Sequence, residues 1–336
     1  MVEGKSNYYH DRQEEKKNCQ ERGQAMKMSL QSISRGIVER PIKLLIYGQD
    51  GLGKSTFAAK APAPIFIDAE DGSNNLNVDR FPVPTTWQDI IDAVRSLTTD
   101  QHDYKSLIVD TLDAIEPLCW RYVCDKATKR GKEQIDNIEG FGYGRGYVAA
   151  LDEWRVLLSA LEQLWRSKGM MIILVAHSII KPFKNPEGDD YDRYQLKIHD
   201  KAGGVIKEWT DINLFARVEA FANKKRGDLK AKGISTGARV IHTRRTAAYD
   251  AKNRYDLPET LPLDWDAFAA ALKARQPADP RELLSTIEAV LAGLVGDPIV
   301  EKVRQSLKVV GDNAAELARI NNKLLAMTSA KENAHE

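Results

Sequence analysis

The chain has 336 residues, of which 43% are hydrophobic and 29% charged, and its formal net charge is +1. That is apolar material for one large domain with extras or for two domains, and a charge too balanced to draw the whole protein to nucleic acid. No apolar run approaches membrane-spanning length, and the first residues lack the apolar centre of a signal peptide. Cys19, Cys119 and Cys124 have no metal-ligand spacing with the histidines. A reducing cytoplasm and no membrane partner are the expectation.

Residues 1–36 are polar, with Glu14-Glu15-Lys16-Lys17 in the middle, and read as a mobile or partner-dependent extension. From residue 37 to 275 apolar runs of strand type alternate with helical stretches, which predicts an α/β fold, a mostly parallel sheet between helices. Strands are expected at 42–47, 64–68, 106–110, 171–176, 213–221 and 238–243, and helices at 87–97, 112–128 and 147–167. In the last of these Leu151, Trp154, Leu157, Leu158, Leu161 and Leu164 recur at helical spacing, as core packing requires. Gln276-Pro277-Ala278-Asp279-Pro280 then breaks the chain. Beyond it, 281–330 reads as a small helical region, solvated or docked on a neighbour.

The first strand runs into Gly48-Gln49-Asp50-Gly51-Leu52-Gly53-Lys54-Ser55-Thr56, which fits G-x-x-x-x-G-K-[ST]. A helix start follows, stopped by Pro62 and Pro64, and strand–loop–helix is the context a phosphate-binding loop needs. Its backbone N–H groups would curl around phosphate oxygens, Lys54 would reach the β- and γ-phosphates, and Ser55 would ligate Mg²⁺. ATP and Mg²⁺ are therefore the expected ligands.

Three further strand ends carry chemistry. Ser106-Leu107-Ile108-Val109-Asp110 has the form of a Walker B strand, with Asp110 as the second Mg²⁺-holding group. No glutamate follows Asp110, and Ile67-Asp68-Ala69-Glu70 offers the missing carboxylate: Glu70 would orient the attacking water, with a helix or loop cap as the competing role. Met171-Ile172-Ile173-Leu174-Val175-Ala176-His177 ends in a histidine that would face the γ-phosphate, or would simply be satisfied at the sheet edge.

In this order, the phosphate loop, Phe66-Ile67-Asp68-Ala69-Glu70, the Asp110 strand and the His177 strand resemble the RecA-type recombinase ATPases. The resemblance implies that Glu70 is the catalytic glutamate and that His177 stands where bacterial RecA has a sensing glutamine. Asp250-Ala251-Lys252-Asn253-Arg254 resembles RecA's Lys-Asn-Lys segment, which implies that Lys252 and Arg254 act as cationic fingers on the ATP of an adjacent subunit. The short core and Asp190-Tyr191-Asp192-Arg193-Tyr194 also resemble phage-encoded RecA-like ATPases of the Sak single-strand annealing group. The likeness covers about 37–272. It implies a homo-oligomeric ring or filament on single-stranded DNA, in a host cytoplasm. It also admits a single-strand-binding protein or an exonuclease as further partners.

Two stretches are DNA-binding candidates, the first combining cations with aromatic residues as sequence-tolerant single-strand binding needs. One is 126–147, with Lys129, Arg130, Lys132, Tyr143 and Arg145. The other is the loop expected over 178–206, with Lys181, Lys184, Arg193 and Lys197, although its acidic residues would repel phosphate. Lys224-Lys225-Arg226 reads as a hairpin tip. Two other classes stay open: an ATP-gated DNA-binding scaffold with negligible turnover, and a P-loop helicase-loading factor or small-molecule kinase.

Overall fold

The computed structural model describes residues 33, 40–129, 134–223, 232–275, 280–294, 298–311, 313, 316–317, 319–321, 323–325 and 327. Apart from residue 33, the extension expected over 1–36 lies outside the described residues, as do Arg130 and Lys132.

Strand β1 (Lys43–Gly48) lies between β5 (Met171–Phe183) and β7 (Ile212–Asn223), parallel to both. On the far side of β5 follow β4 (Ser106–Asp110), β2 (Pro64–Asp68) and the short β3 (Asp79–Arg80), all parallel. On the far side of β7 the sheet turns antiparallel through β8 (Lys232–His242) and β10 (Thr260–Pro262). β6 (Tyr191–Leu196) pairs with β5, and β9 (Lys252–Asn253) with β7.

The central strands are unbroken apolar runs because both faces are covered. Alternate residues feed opposite cores. Leu45, Tyr47, Ile67, Val109 and Leu174 pack with α2 (Trp87–Thr99), α3 (Leu112–Lys129) and α4 (Arg145–Lys168). Leu44, Ile46, Phe66, Ile108 and Val175 face α1 (Lys54–Ala59) and α6 (Trp265–Arg275), where Phe57 meets Trp265 and Phe268 edge-on. Helix α2 starts on a capping box between Thr86 and Asp89, which satisfies end N–H groups that the helix itself cannot. Helices α7 (Pro280–Gly293) and α8 (Pro298–Val310) belong to a third cluster built on Leu283, Ile287, Leu291, Leu317 and Leu324.

The loop expected over 178–206 is regular structure. β5 continues past His177 to Phe183 and returns as β6, making an antiparallel ribbon registered from Ser178 opposite Leu196 to Phe183 opposite Tyr191. Helix α5 (Asp200–Trp209) follows. The ribbon is held by backbone pairing and shows no continuous apolar run, so periodicity could not reveal it. Within the 126–147 stretch α3 reaches Lys129, a 3₁₀ turn covers Ile138–Phe141, and α4 starts at Arg145. β7 and β8 flank the predicted basic hairpin tip, whose residues 224–231 lie outside the described residues.

Trp87 and Trp154 join α2 to α4 edge-on, with ring centroids 5.2 Å apart and both side chains buried. Trp154→Ala is expected to lower unfolding stability by about 3–5 kcal/mol, read as a drop in the urea midpoint at unchanged slope.

Candidate active site

Strand register brings the predicted groups to one edge. Gly48 at the end of β1 stands opposite His177 on β5 and Ala216 on β7, and Asp110 on β4 stands opposite Asp68 on β2. This is the C-terminal edge of the parallel strands, where α/β sheets bind ligands.

The phosphate loop has the backbone its glycines permit. Gly51 and Gly53 take φ of +69° and +94°, values an L side chain rarely adopts. A Cβ on Gly48 would lie 2.2 Å from the Ala216 carbonyl oxygen, so this residue has to be glycine. Lys54 is 4% exposed. Its ammonium donates to the carbonyls of Gly48 at 3.2 Å and Gln49 at 2.7 Å. Burial lowers its pKa, against the pull of Asp110, Asp50, Asp113 and Glu70. Gln49, Asp50, Gly51 and Thr56 are exposed along the loop, and Leu52 is buried beneath it.

Asp110 is buried, with the Ser55 hydroxyl near enough to lower its pKa, so the two residues expected to hold Mg²⁺ lie together. Its pKa is pushed up to about 6, first by burial and then by the charges of Asp68 and Glu70, against the lowering pull of Ser55 and Lys54. A buried carboxylate with a hydroxyl partner and two acidic neighbours fits a divalent ion, whose charge would relieve the crowding.

Asp68 is spent on the turn that follows it: its carboxylate accepts N–H groups of Glu70 at 3.2 Å, Gly72 at 3.3 Å and Ser73 at 2.8 Å. That turn presents Glu70, half-exposed, whose Oε1 accepts the Thr111 hydroxyl at 2.7 Å and lies 3.5 Å from His177 Nδ1. His177 Nε2 lies 3.5 Å from Asp50 in the phosphate loop. The structure thus brings Lys54, Ser55, Glu70, Asp110 and His177 together.

Two participants escaped the sequence reading. Asp113, in the first turn of α3, binds His177 twice, accepting the backbone N–H at 2.8 Å and pairing with ring Nδ1 at 2.9 Å. Burial alone would raise the Asp113 pKa, but these bonds hold it below the usual carboxylate range. Its place three residues after Asp110 was the available signal; its partner, 64 positions on, was not. Arg239 on β8 donates from Nη1 to the Leu52 carbonyl at 3.1 Å and fills the space a Cβ on Gly53 would need. No sequence feature announced it. Glu70, Asp113 and His177 each present a donor atom within 4.8 Å of the others, a spacing open to a metal ion. The short Nδ1–Asp113 contact instead reads as a hydrogen-bonded pair.

The other predicted residues are scattered. Lys252 donates to the carbonyls of Lys207 at 3.0 Å, Glu208 at 2.8 Å and Thr210, closing the C-terminal end of α5. β9 pairs at Ile212 and Asn213, the end of β7 opposite Leu44 rather than Gly48, about 13 Å of strand from the phosphate loop. Arg254 is exposed and paired with Asp211 at 2.9 Å. Both therefore stand apart from their own phosphate loop. Arg193 is no free cation: it is 6% exposed, paired with Asp250 and stacked over Phe183. Lys181 pairs with Asp200 at 2.8 Å, and Lys197 lies 3.8 Å from Asp113. Lys184 is exposed near the ribbon tip. Tyr143 is fully exposed beneath the Arg145 guanidinium, 5.9 Å away. Lys129 ends α3, and its side chain lies outside the described residues.

Fold and site together define an α/β P-loop nucleoside-triphosphatase core. The sequence model of a family described as an AAA domain matches residues 40–255, more than half of the chain, and the chain belongs to that family. It is 26% identical over 237 residues to the SPbeta prophage-derived uncharacterized protein YorG of Bacillus subtilis (strain 168). That match covers 68% of this chain and 63% of the relative, less than two thirds of its length. Among solved structures, the RadB recombinase aligns over 66% of this chain and 86% of its own, at 14% identity and a TM-score of 0.36. No described helix is long and apolar enough to cross a membrane.

Because the folded Asp110 pKa lies above its ordinary value of 3.8, the ionised carboxylate costs stability above about pH 6, and the cost fades as pH falls toward 3.8. Asp110→Asn is therefore expected to raise the stability of the magnesium-free protein at pH 7.5, by up to about 3 kcal/mol. The gain should shrink toward pH 4 in thermal melts, while nucleotide turnover is lost.

Proposed function

We propose that this chain is a RecA-like, Mg²⁺-dependent ATPase that binds single-stranded DNA and promotes annealing or recombination as a homo-oligomer. The observation that carries the reading is His177. One residue faces the phosphate loop and is also the root of a projecting ribbon with Lys181 and Lys184 on its outer half. In this reading Lys54 and the loop N–H groups hold the phosphates, Ser55 and Asp110 hold Mg²⁺, and the ion offsets charge on the phosphoryl oxygens. Glu70, oriented by Thr111, positions the attacking water. The presence of the γ-phosphate sets the stance of His177 and so of the ribbon. Among the described residues, Lys184, Lys197, Tyr143 and Arg145 are exposed groups available to DNA, whereas Arg193 holds the ribbon to Asp250. Lys252 and Arg254, away from their own phosphate loop, act on the nucleotide of an adjacent subunit in this reading. For Lys252 that role requires release from the end of α5.

Lys54→Ala is expected to abolish nucleotide binding or turnover, and Glu70→Gln to bind ATP and retain it unhydrolysed, both read by filter binding and phosphate release. Lys252→Ala should bind ATP and lose turnover. Mixing it with Lys54→Ala should restore part of the activity, and a mixture inactive at every ratio would remove the adjacent-subunit role. The deciding measurement is fluorescence anisotropy of a labelled single-stranded oligonucleotide with an ATP analogue, with ADP or without nucleotide, at two salt concentrations. Binding that needs the analogue and weakens with salt supports the proposal. Intact binding with turnover at background favours the ATP-gated scaffold. No binding in any state shifts the reading to a loading factor or a kinase.

A further inference from the structure

The His177 ring is enclosed by carboxylates. From α3, Asp113 faces Nδ1 at 2.9 Å; from the turn after β2, Glu70 Oε1 faces the same nitrogen at 3.5 Å; from the phosphate loop, Asp50 faces Nε2 at 3.5 Å. Lys54 on α1 is the opposing cation, and Lys197, just past the end of the returning strand β6, approaches Asp113 at 3.8 Å. Carboxylates accept and do not donate, so a ring with them on both sides is best satisfied when both nitrogens carry hydrogen. Asp113 is also committed to this residue through the backbone N–H, which fixes the ring's distance as well as its tilt.

We propose that Asp113 is a positioning residue that holds His177 as an imidazolium directed at the terminal phosphate of bound nucleotide, giving the site a second cation beside Lys54. The inference rests on the reading of this site as an ATPase. The Asp113 hydrogen bond is the largest influence on the ring and raises its pKa above the ordinary histidine value, outweighing burial and the repulsion of Lys54. In Asp113→Asn the amide can still accept the backbone N–H, but it no longer favours the charged ring. Charge on the phosphoryl oxygens would then lose a partner in a place where water is scarce.

The test is nitrogen-detected NMR of the ¹⁵N-histidine-labelled full chain, with the His177 signals assigned by their loss in His177→Gln, alongside ATPase pH profiles. In the wild type both ring nitrogens are expected to be protonated at pH 7. In Asp113→Asn the titration midpoint should fall by about one pH unit or more. Its kcat should drop about tenfold or more, with KM for ATP within about threefold. The alkaline decline of kcat should move to lower pH, because the ring loses its proton earlier. Adding Asp113→Asn to His177→Gln should cost nothing further, as expected of residues acting in series. One protonated ring nitrogen at pH 7, or a midpoint unmoved in Asp113→Asn, overturns the proposal. If Asp113→Asn does not fold, the wild-type spectrum still decides the charge state. If the wild type shows no turnover, the ATPase reading fails while the NMR still decides the Asp113–His177 pair.

Discussion

A buried ammonium governs this molecule. Lys54 is withdrawn from water, and its hydrogen-bond partners are the carbonyls of Gly48 and Gln49. Such a group is costly to bury unless opposite charge stands close, and here the charge comes from Asp110, Asp113, Glu70 and Asp50, each from a different segment. The carboxylates in turn need the ammonium: burial and mutual repulsion already push the Asp110 proton affinity up. Cation and anions are each tolerable only in the presence of the other. A nucleotide with its magnesium would bring both signs to the same place, and on the proposed reading the arrangement is complementary to that ligand.

What allows the arrangement is the parallel register. Helices over both faces make the strands apolar along their length, so polar groups are confined to the strand ends. With β1, β2, β4 and β5 all running the same way, their terminal residues arrive on one rim. The β7 backbone then packs so closely on Gly48 that the loop is fixed from its other side as well. Arg239 adds a clasp on Leu52 from the antiparallel half of the sheet. The site is therefore preorganised by the core beneath it, and loosening the core would degrade it.

The same logic explains what could be read in the sequence. Lys54, Ser55, Asp110, Glu70 and His177 each close a recognisable run, so strand pattern and motif place them at the rim without knowledge of pairing. Asp113 and Arg239 could not be placed, because what defines them is a partner distant in the chain. Charge alone misled at Arg193, which looked like a cation available to a ligand and is buried against Asp250. The ribbon was missed for a related reason: its pairing uses the main chain, which is the same for every residue type. Strand spans in the buried half of the sheet agree with expectation to within a residue or so, and divergence grows where a strand leaves the core, in β5 and β8.

The continuity of β5 has a mechanical meaning. From Met171 to Phe183 it is one extended segment, clamped by neighbours up to His177 and paired with β6 alone beyond. It is a propped beam: about 20 Å of strand runs on beyond the sheet, and its partner is braced part-way along by Arg193 on Asp250 and by the Tyr194 N–H on the Ala248 carbonyl. A few degrees of tilt at the root would carry the outer end through about an ångström. The same tilt would have to shift those braces as well. Movement at the root of the ribbon is thus tied to the segment around Asp250 rather than lost to solvent.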